Sequence, residues 1–401
     1  MNDRERFIAT MHYQPRDRAP LYDFSFWEET LARWQNEGLP RSVTRQNVAD
    51  CFGFDVSLFG GDLAWHTGCN VGLSPAFEVK VLEDRGESEL LQQPDGARVV
   101  KKKVMSSIPM HDSHLLVDRQ TWREHYKWRL DPTHPDRFPK AEPQFRYGTA
   151  GVVAMLDNTC MGWDERVAFW RDPQRPHPII LPGGSLYGWI RNWMGVENVS
   201  MVVYDDPAWF EEMVETVADC IVGVLQRILG TGAQFEACAV WEDMCYNTGP
   251  LLGPEHFKRF LVPHYKRITG LLRRHGVDVC WVDCDGKIDA LAPLWLDAGV
   301  NCMFPIEVGT WNGDAVAFRR EYGKEMLIIG SVDKHMLART KADITREMAR
   351  LTPLVEEGGF IPTPDHRVPP DVSLENYLFY CEEARRIWGC GVNLKPMRFG
   401  N

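Results

Sequence analysis

From about residue 176 onward the chain alternates short apolar runs with longer amphipathic ones. Pro178–Leu181, Gln234–Val240, Val277–Val282, Gly299–Pro305, Met326–Ile329 and Gly359–Pro362 are the apolar runs. Between them Ala208–Leu229, Pro254–His275, Ile288–Ala298 and Lys341–Glu357 show helical spacing. Short apolar strands separated by amphipathic helices predict βαβ units and a parallel sheet. Two further short runs, Ala19–Asp23 and Asp55–Phe59, bring the strands to eight. Nearly every run ends at once in a carboxylate, hydroxyl or histidine, and no GxGxxG follows a strand. A closed barrel brings all such ends to one mouth, whereas a doubly wound sheet gathers them at a switch point. The pattern therefore predicts an α/β fold, a (β/α)8 TIM barrel. It forms a single domain over 1–401, with its core βα units over about 176–385.

The first half follows other periods. Residues 2–14 predict a short helix capped by Asn2 or Asp3 and stopped by Pro15, and Trp27–Glu37 predicts a second. From Phe77 to Val104 the period drops to two around turn residues, with Pro94-Asp95-Gly96 as a hairpin turn. An N-terminal β-rich elaboration is expected, a β-meander and loop insertion over about 61–150. The Pro- and charge-rich stretch 129–146 reads as a surface connection rather than a packed element.

Charge narrows the partners. The 401 residues hold 45 Lys and Arg against 56 Asp and Glu, a net −11, which argues against a nucleic-acid partner. No stretch of about 18 apolar residues exists to cross a membrane. The N-terminus opens with charges and lacks an apolar h-region, so no secretory signal is expected. Eleven Cys without CxxC pairs then read as reduced, mostly buried thiols of a cytoplasmic protein. A small-molecule substrate is the expected partner, and a homodimer is compatible with the sequence.

The candidate chemistry lies at the strand ends. Asp283 and Asp285 stand at i and i+2, which share a face on extended backbone. There they can share a metal or raise one another's pKa for acid/base work; the plainer reading is a helix cap beside a solvated acid. His366, between Asp365 and Arg367, follows the last run, and histidine with carboxylates suits Zn, Fe or Mn. Arg367 offers a clamp for a substrate carboxylate, with Asp365 beside it, or else a salt bridge. Glu242, Asp243 and Glu307 are candidate general acids or bases, alongside Asp285. Ser331 and Asp333 have a helix-capping explanation. Cys284 is a candidate ligand or nucleophile. Gly183-Gly184-Ser185 is either a tight turn or a place where backbone N–H groups hold an anion. The Trp residues around Trp189 and Trp193 read mostly as packing.

Four segments carry a further signal: WEDMCYNTGPLLGPEHFKRFLVPHYKRI, VDCDGKIDALAPLWLDAGVNCMFPIEVG, LIIGSVDKHMLA and LVEEGGFIPTPDHRVPPDVSLENY. Together with the opening RERFIATMHYQPRDRAPLYD they resemble the uroporphyrinogen decarboxylase superfamily, most densely from about 180 to 380. The resemblance implies a TIM barrel with its cleft at the carboxyl ends of the strands. It also implies one of two activities. Decarboxylases of the superfamily carry a Met-Arg-Gln-Ala-Gly-Arg segment whose arginines grip porphyrinogen carboxylates. Here Leu21–Glu28 stands in its place, aromatic and acidic without arginine. The other branch moves a methyl group between a corrinoid protein (the carrier of cobalamin) and a thiol or tetrahydrofolate. Its zinc ligands, His-x-Cys and a later Cys, fall on Asp283, Asp285 and His366 of this sequence. The resemblance thus implies methyl transfer from a small methylated substrate, with decarboxylation of a porphyrinogen or a smaller acid as the alternative. The implied cofactors are zinc or another divalent metal, and cobalamin on a partner or tetrahydrofolate.

Overall fold

A computed structural model describes residues 1–45, 47–58, 66–103, 109–147, 154–157, 159–389 and 397. The barrel strands are β1 (Tyr22–Asp23), β2 (Val56–Ser57), β3 (Ile180–Gly184), β4 (Ala237–Trp241), β5 (Cys280–Asp283), β6 (Cys302–Phe304), β7 (Leu327–Val332) and β8 (Phe360–Pro364). β3 to β8 form one parallel sheet in chain order, and β1 pairs with β2 in parallel. Two isolated parallel bridges close the ring: His66 to Ile180 joins the chain after β2 to β3, and Phe26 to Val368 joins the chain after β1 to that after β8. The expected (β/α)8 barrel is the fold. The first two strands are short, and Phe59 lies outside the described residues.

Strand alternation sorts the core into two layers. Tyr22, Val56, Ile180, Ala237, Ala239, Cys302, Phe304, Leu327, Ile329 and Ile361 fill the barrel interior. Their neighbours Leu181, Cys238, Val240, Val282, Met303 and Ile328 point outward under the helices. The first helix, Asp3–Met11, plugs the amino-terminal end with Phe7 and Met11. Its start is a capping box between Asn2 and Glu5. Beside it the Arg18 guanidinium grips the Asp55 carboxylate with two bonds of 2.6 Å, both residues buried.

The elaboration is a four-stranded antiparallel meander of Lys80–Asp84, Ser88–Gln92, Arg98–Lys102 and Met110–Ser113. Its first three strands follow the sequence pattern; the fourth lies beyond the alternating run, and Val104 is outside the described residues. The expected surface connection over 129–146 needs correction. Phe138 and Arg137 are buried, and the Arg137 guanidinium donates to four backbone carbonyls, those of Asp131, Asn70, Gly72 and Arg129. A buried arginine takes the place that apolar periodicity would have advertised. Trp122, Tyr126, Trp193 and Trp189 then stand ring against ring in succession, joining the insertion to the helix Gly188–Met194 that follows β3. The described cysteines are mostly buried. No described helix is long and apolar enough to cross a membrane.

The hairpin turn at Pro94-Asp95-Gly96 yields a pH prediction. The Asp95 carboxylate accepts the Ala97 N–H at 3.0 Å, and burial pushes its pKa up to about 6. A folded pKa above the unfolded one gives stability that is complete below the ordinary carboxylate range and lost as pH rises through about 6. Relative to an Asp95→Asn reference, the wild type should lose about 2 kcal/mol of unfolding free energy between about pH 4 and about pH 7. Urea unfolding at both pH values measures this; an identical difference at the two would refute it.

Candidate functional site

The carboxyl ends of the strands gather all the predicted site residues, but sort them into two kinds. The first kind is fully engaged in holding loops. Glu242, directly after β4, is completely buried. Its carboxylate accepts the N–H groups of Leu186 at 2.7 Å and of Tyr187 and Gly188 at 2.9 Å, the Ser185 hydroxyl at 3.1 Å, and the Tyr265 hydroxyl. The Gly183-Gly184-Ser185 junction, read as a tight turn or an anion holder, leads into three N–H groups that hold an anion of the protein itself, at the start of a helix. Burial raises the Glu242 pKa, and these donors pull against it.

Glu307, Asp333 and Asp365 are engaged likewise. One Glu307 oxygen accepts the Gly286 N–H at 2.9 Å, and the other accepts the Thr310 hydroxyl at 2.9 Å. Asp365 accepts the Val308 N–H at 2.7 Å and the Lys334 N–H at 3.1 Å. The Lys334 ammonium lies between them, 3.4 Å from Glu307 and 3.6 Å from Asp365. Burial raises the Asp365 pKa while Lys334 lowers it. Asp333 caps the next helix through the His335 N–H at 2.9 Å, as its sequence position implies.

The second kind, Asp243, Asp283, Asp285, His366 and Arg367, faces one another across the mouth. Asp283 continues the inward parity of β5, whose Trp281 packs against the interior cluster. Its pKa stands well above the ordinary range, because burial and then the charges of Asp285 and Asp243 disfavour ionisation, while Arg367 opposes them. Asp243 is likewise raised, first by burial and then by Asp285. It has φ +41°, an uncommon conformation for a residue with a Cβ, and the Arg191 guanidinium holds both its carbonyl and, at 3.3 Å, its carboxylate.

Asp285 Oδ2 is 3.4 Å from His366 Nε2, and its buried Oδ1 has no hydrogen-bond partner among the described residues. The turn that presents Asp285 requires glycine next to it: Gly286 has φ +86°, and a Cβ there would lie 2.4 Å from the Cys245 carbonyl oxygen. Rings form the remaining wall. Phe24 stacks on Phe304 at 5.0 Å and meets His366 at 5.1 Å, and the Arg367 guanidinium lies 4.8 Å from the Trp27 ring.

The expected metal set Asp283, Asp285 and His366 does not fit an ion in this arrangement. Asp285 is turned to His366, and Asp283 faces Arg367. Among the described residues no three His, Cys, Asp or Glu side chains are grouped to hold a metal. Nor is Cys284 a thiolate: burial and the adjacent Cys245 push its pKa well up. Arg191 and Lys334 did not emerge from the sequence. Their partners are more than 50 and about 30 residues away, so no local spacing marks them.

Comparisons with known proteins agree with this architecture. The family described as uroporphyrinogen decarboxylase (URO-D) matches residues 191–387. A solved methyltransferase from Methanosarcina mazei is similar at TM-score 0.54 and 14% identity, over 96% of this chain and 98% of that one, a likeness that shows the fold. A B12-independent methionine synthase from Shewanella sp. W3-18-1, in complex with selenomethionine, reaches TM-score 0.38 at 10% identity, over 61% of this chain and 75% of that one. No curated protein matches the sequence. The stretch that carries the uroporphyrinogen decarboxylase match, residues 191–387, runs from the helix after β3 to the helix after β8 and so holds most of the barrel's βα units.

Proposed function

We propose that this protein is a methyltransferase that moves a methyl group from a small methylated compound to a corrinoid on a partner protein, or to a folate. The observation that carries the reading is the crowding of Asp243, Asp283 and Asp285 at one mouth, with Asp283 held towards its protonated form. The methyltransferase named among the similar structures, matched over nearly the whole chain, agrees with it.

Removing a methyl group from oxygen or nitrogen leaves the bonding pair on the heteroatom, which then needs a proton. The corrinoid or folate, when bound, supplies the atom that takes the methyl carbon. Asp283 supplies the proton to the leaving heteroatom, and the adjacent charges of Asp285 and Asp243 keep that proton in place until it is needed. Arg191 holds Asp243 against the wall, and the Phe24, Phe304 and Trp27 rings exclude water from the reacting bond. The same crowding disfavours the alternative. A porphyrinogen would bring several carboxylates to a mouth that already holds three, with Arg191 and Arg367 already facing them.

Transfer should appear as saturable formation of methylcobalamin from reduced cobalamin and a panel of methyl ethers and methylamines. No transfer to any corrinoid or folate, with CO₂ released from a porphyrinogen instead, would overturn the proposal. Asp283→Asn should lower kcat about 100-fold, less so for donors whose leaving group is a weak base. Because the acid form is the active one and its pKa is raised, the wild-type rate should fall as pH rises through that pKa. Glu242→Gln should act differently. It replaces a buried carboxylate with five donors and should cost about 3 kcal/mol of stability, read by thermal unfolding. A stable Glu242→Gln protein that has lost only its activity would make Glu242 the proton donor instead.

A further inference from the structure

Lys334 has no part in the chemistry above, yet it touches two of the carboxylates around which the mouth is built. Its ammonium is nearly buried, 12% exposed, between Glu307 Oε1 at 3.4 Å and Asp365 Oδ1 at 3.6 Å, themselves 7% and 0% exposed. Each carboxylate reaches on to another loop. Glu307 receives the Gly286 N–H at 2.9 Å, next to Asp285 in the chain. Asp365 receives the Val308 N–H at 2.7 Å and immediately precedes His366. The ends of β5, β6, β7 and β8 therefore meet at one cation. The 3.4 Å contact between Asp285 and His366 spans two of the loops it fastens.

We propose that Lys334 is a positioning residue: by joining Glu307 to Asp365 it sets the separation of Asp285 and His366. A buried ammonium is a compact point charge that two carboxylates can share, and its removal leaves both of them repelling one another. The loops after β5 and β8 would then move apart, carrying Asp285 away from His366. The effect on catalysis rests on the methyl-transfer reading; the effect on geometry does not.

The test follows the His366 ring by NMR in protein labelled at histidine, at one fixed pH, with its signal assigned by its loss in His366→Gln. In Lys334→Met the His366 signal should shift while most of the other eleven of the chain's twelve histidines keep theirs, and Lys334→Arg should bring it back towards the wild-type position. An unmoved His366 signal in folded Lys334→Met overturns the proposal. Should Lys334→Met not fold, the paired variant Glu307→Gln/Lys334→Met removes the cation with one of its partners and is read the same way. In the methyl-transfer assay Lys334→Met should lower kcat by about tenfold or more with KM within about twofold, and Lys334→Arg should recover most of it. Unchanged kcat overturns the positioning role. A wild-type protein that transfers no methyl group sinks the functional reading alone and leaves the NMR result to decide on Lys334.

Discussion

A carboxylate taken out of water must be met by donors, and at the carboxyl ends of this barrel that requirement decides where the loops lie. Glu242 draws the whole turn after β3 onto itself, three consecutive N–H groups and a hydroxyl, and so fixes where the helix Gly188–Met194 begins. That helix carries Arg191 to Asp243 and presents Trp189 and Trp193 to the aromatic stack of the insertion. Glu307 and Asp365 do the same for the loops after β5, β6 and β7. The elaboration outside the barrel and the geometry inside its mouth both hang on these three side chains.

What remains is the crowded set proposed as the site. Asp243, Asp283 and Asp285 are only half-buried, unlike Glu242, Glu307 and Asp365, and are met by fewer donors. One arginine each for Asp243 and Asp283, and a histidine for Asp285, face charges that repel one another. A fully satisfied carboxylate is spent, because moving its proton would cost the bonds that hold a loop. A crowded carboxylate with few donors is poised, because taking up a proton relieves repulsion. The division between loop anchors and crowded carboxylates follows from donor count and depth rather than from residue type.

The same division shows what could be read beforehand. The barrel was legible because strand runs, helix spacing and the polar strand ends all repeat with the same meaning. The inward parity of Asp283 at the end of its strand was legible because a period of two is a local property. Glu242 and Glu307 looked like equals of Asp285, since a carboxylate after a strand reads the same whether or not distant N–H groups reach it. Their donors at Leu186 and Gly286 lie 56 and 21 residues away. Arg137 and Lys334 escaped for the complementary reason: charged residues in polar segments read as solvent-facing unless the carbonyls and carboxylates around them are known. The meander's turn at Pro94-Asp95-Gly96 needed no such knowledge, because its geometry is set by three adjacent residues.

The wall at β1 completes the argument about chemistry. At β1, Phe24 enters the barrel interior, stacks on Phe304 and meets the His366 ring. Asp23, beside it, accepts the Tyr377 hydroxyl at 2.7 Å and the Ser25 N–H at 2.8 Å, which turns its charge away from the mouth. The wall beside the crowded carboxylates is therefore aromatic, with the Arg367 guanidinium set against its Trp27 ring. An aromatic wall lowers the local dielectric, which strengthens the repulsion among Asp243, Asp283 and Asp285 and thereby the hold of Asp283 on its proton. The aromatic wall and the crowding of the three carboxylates thus act in the same direction on Asp283.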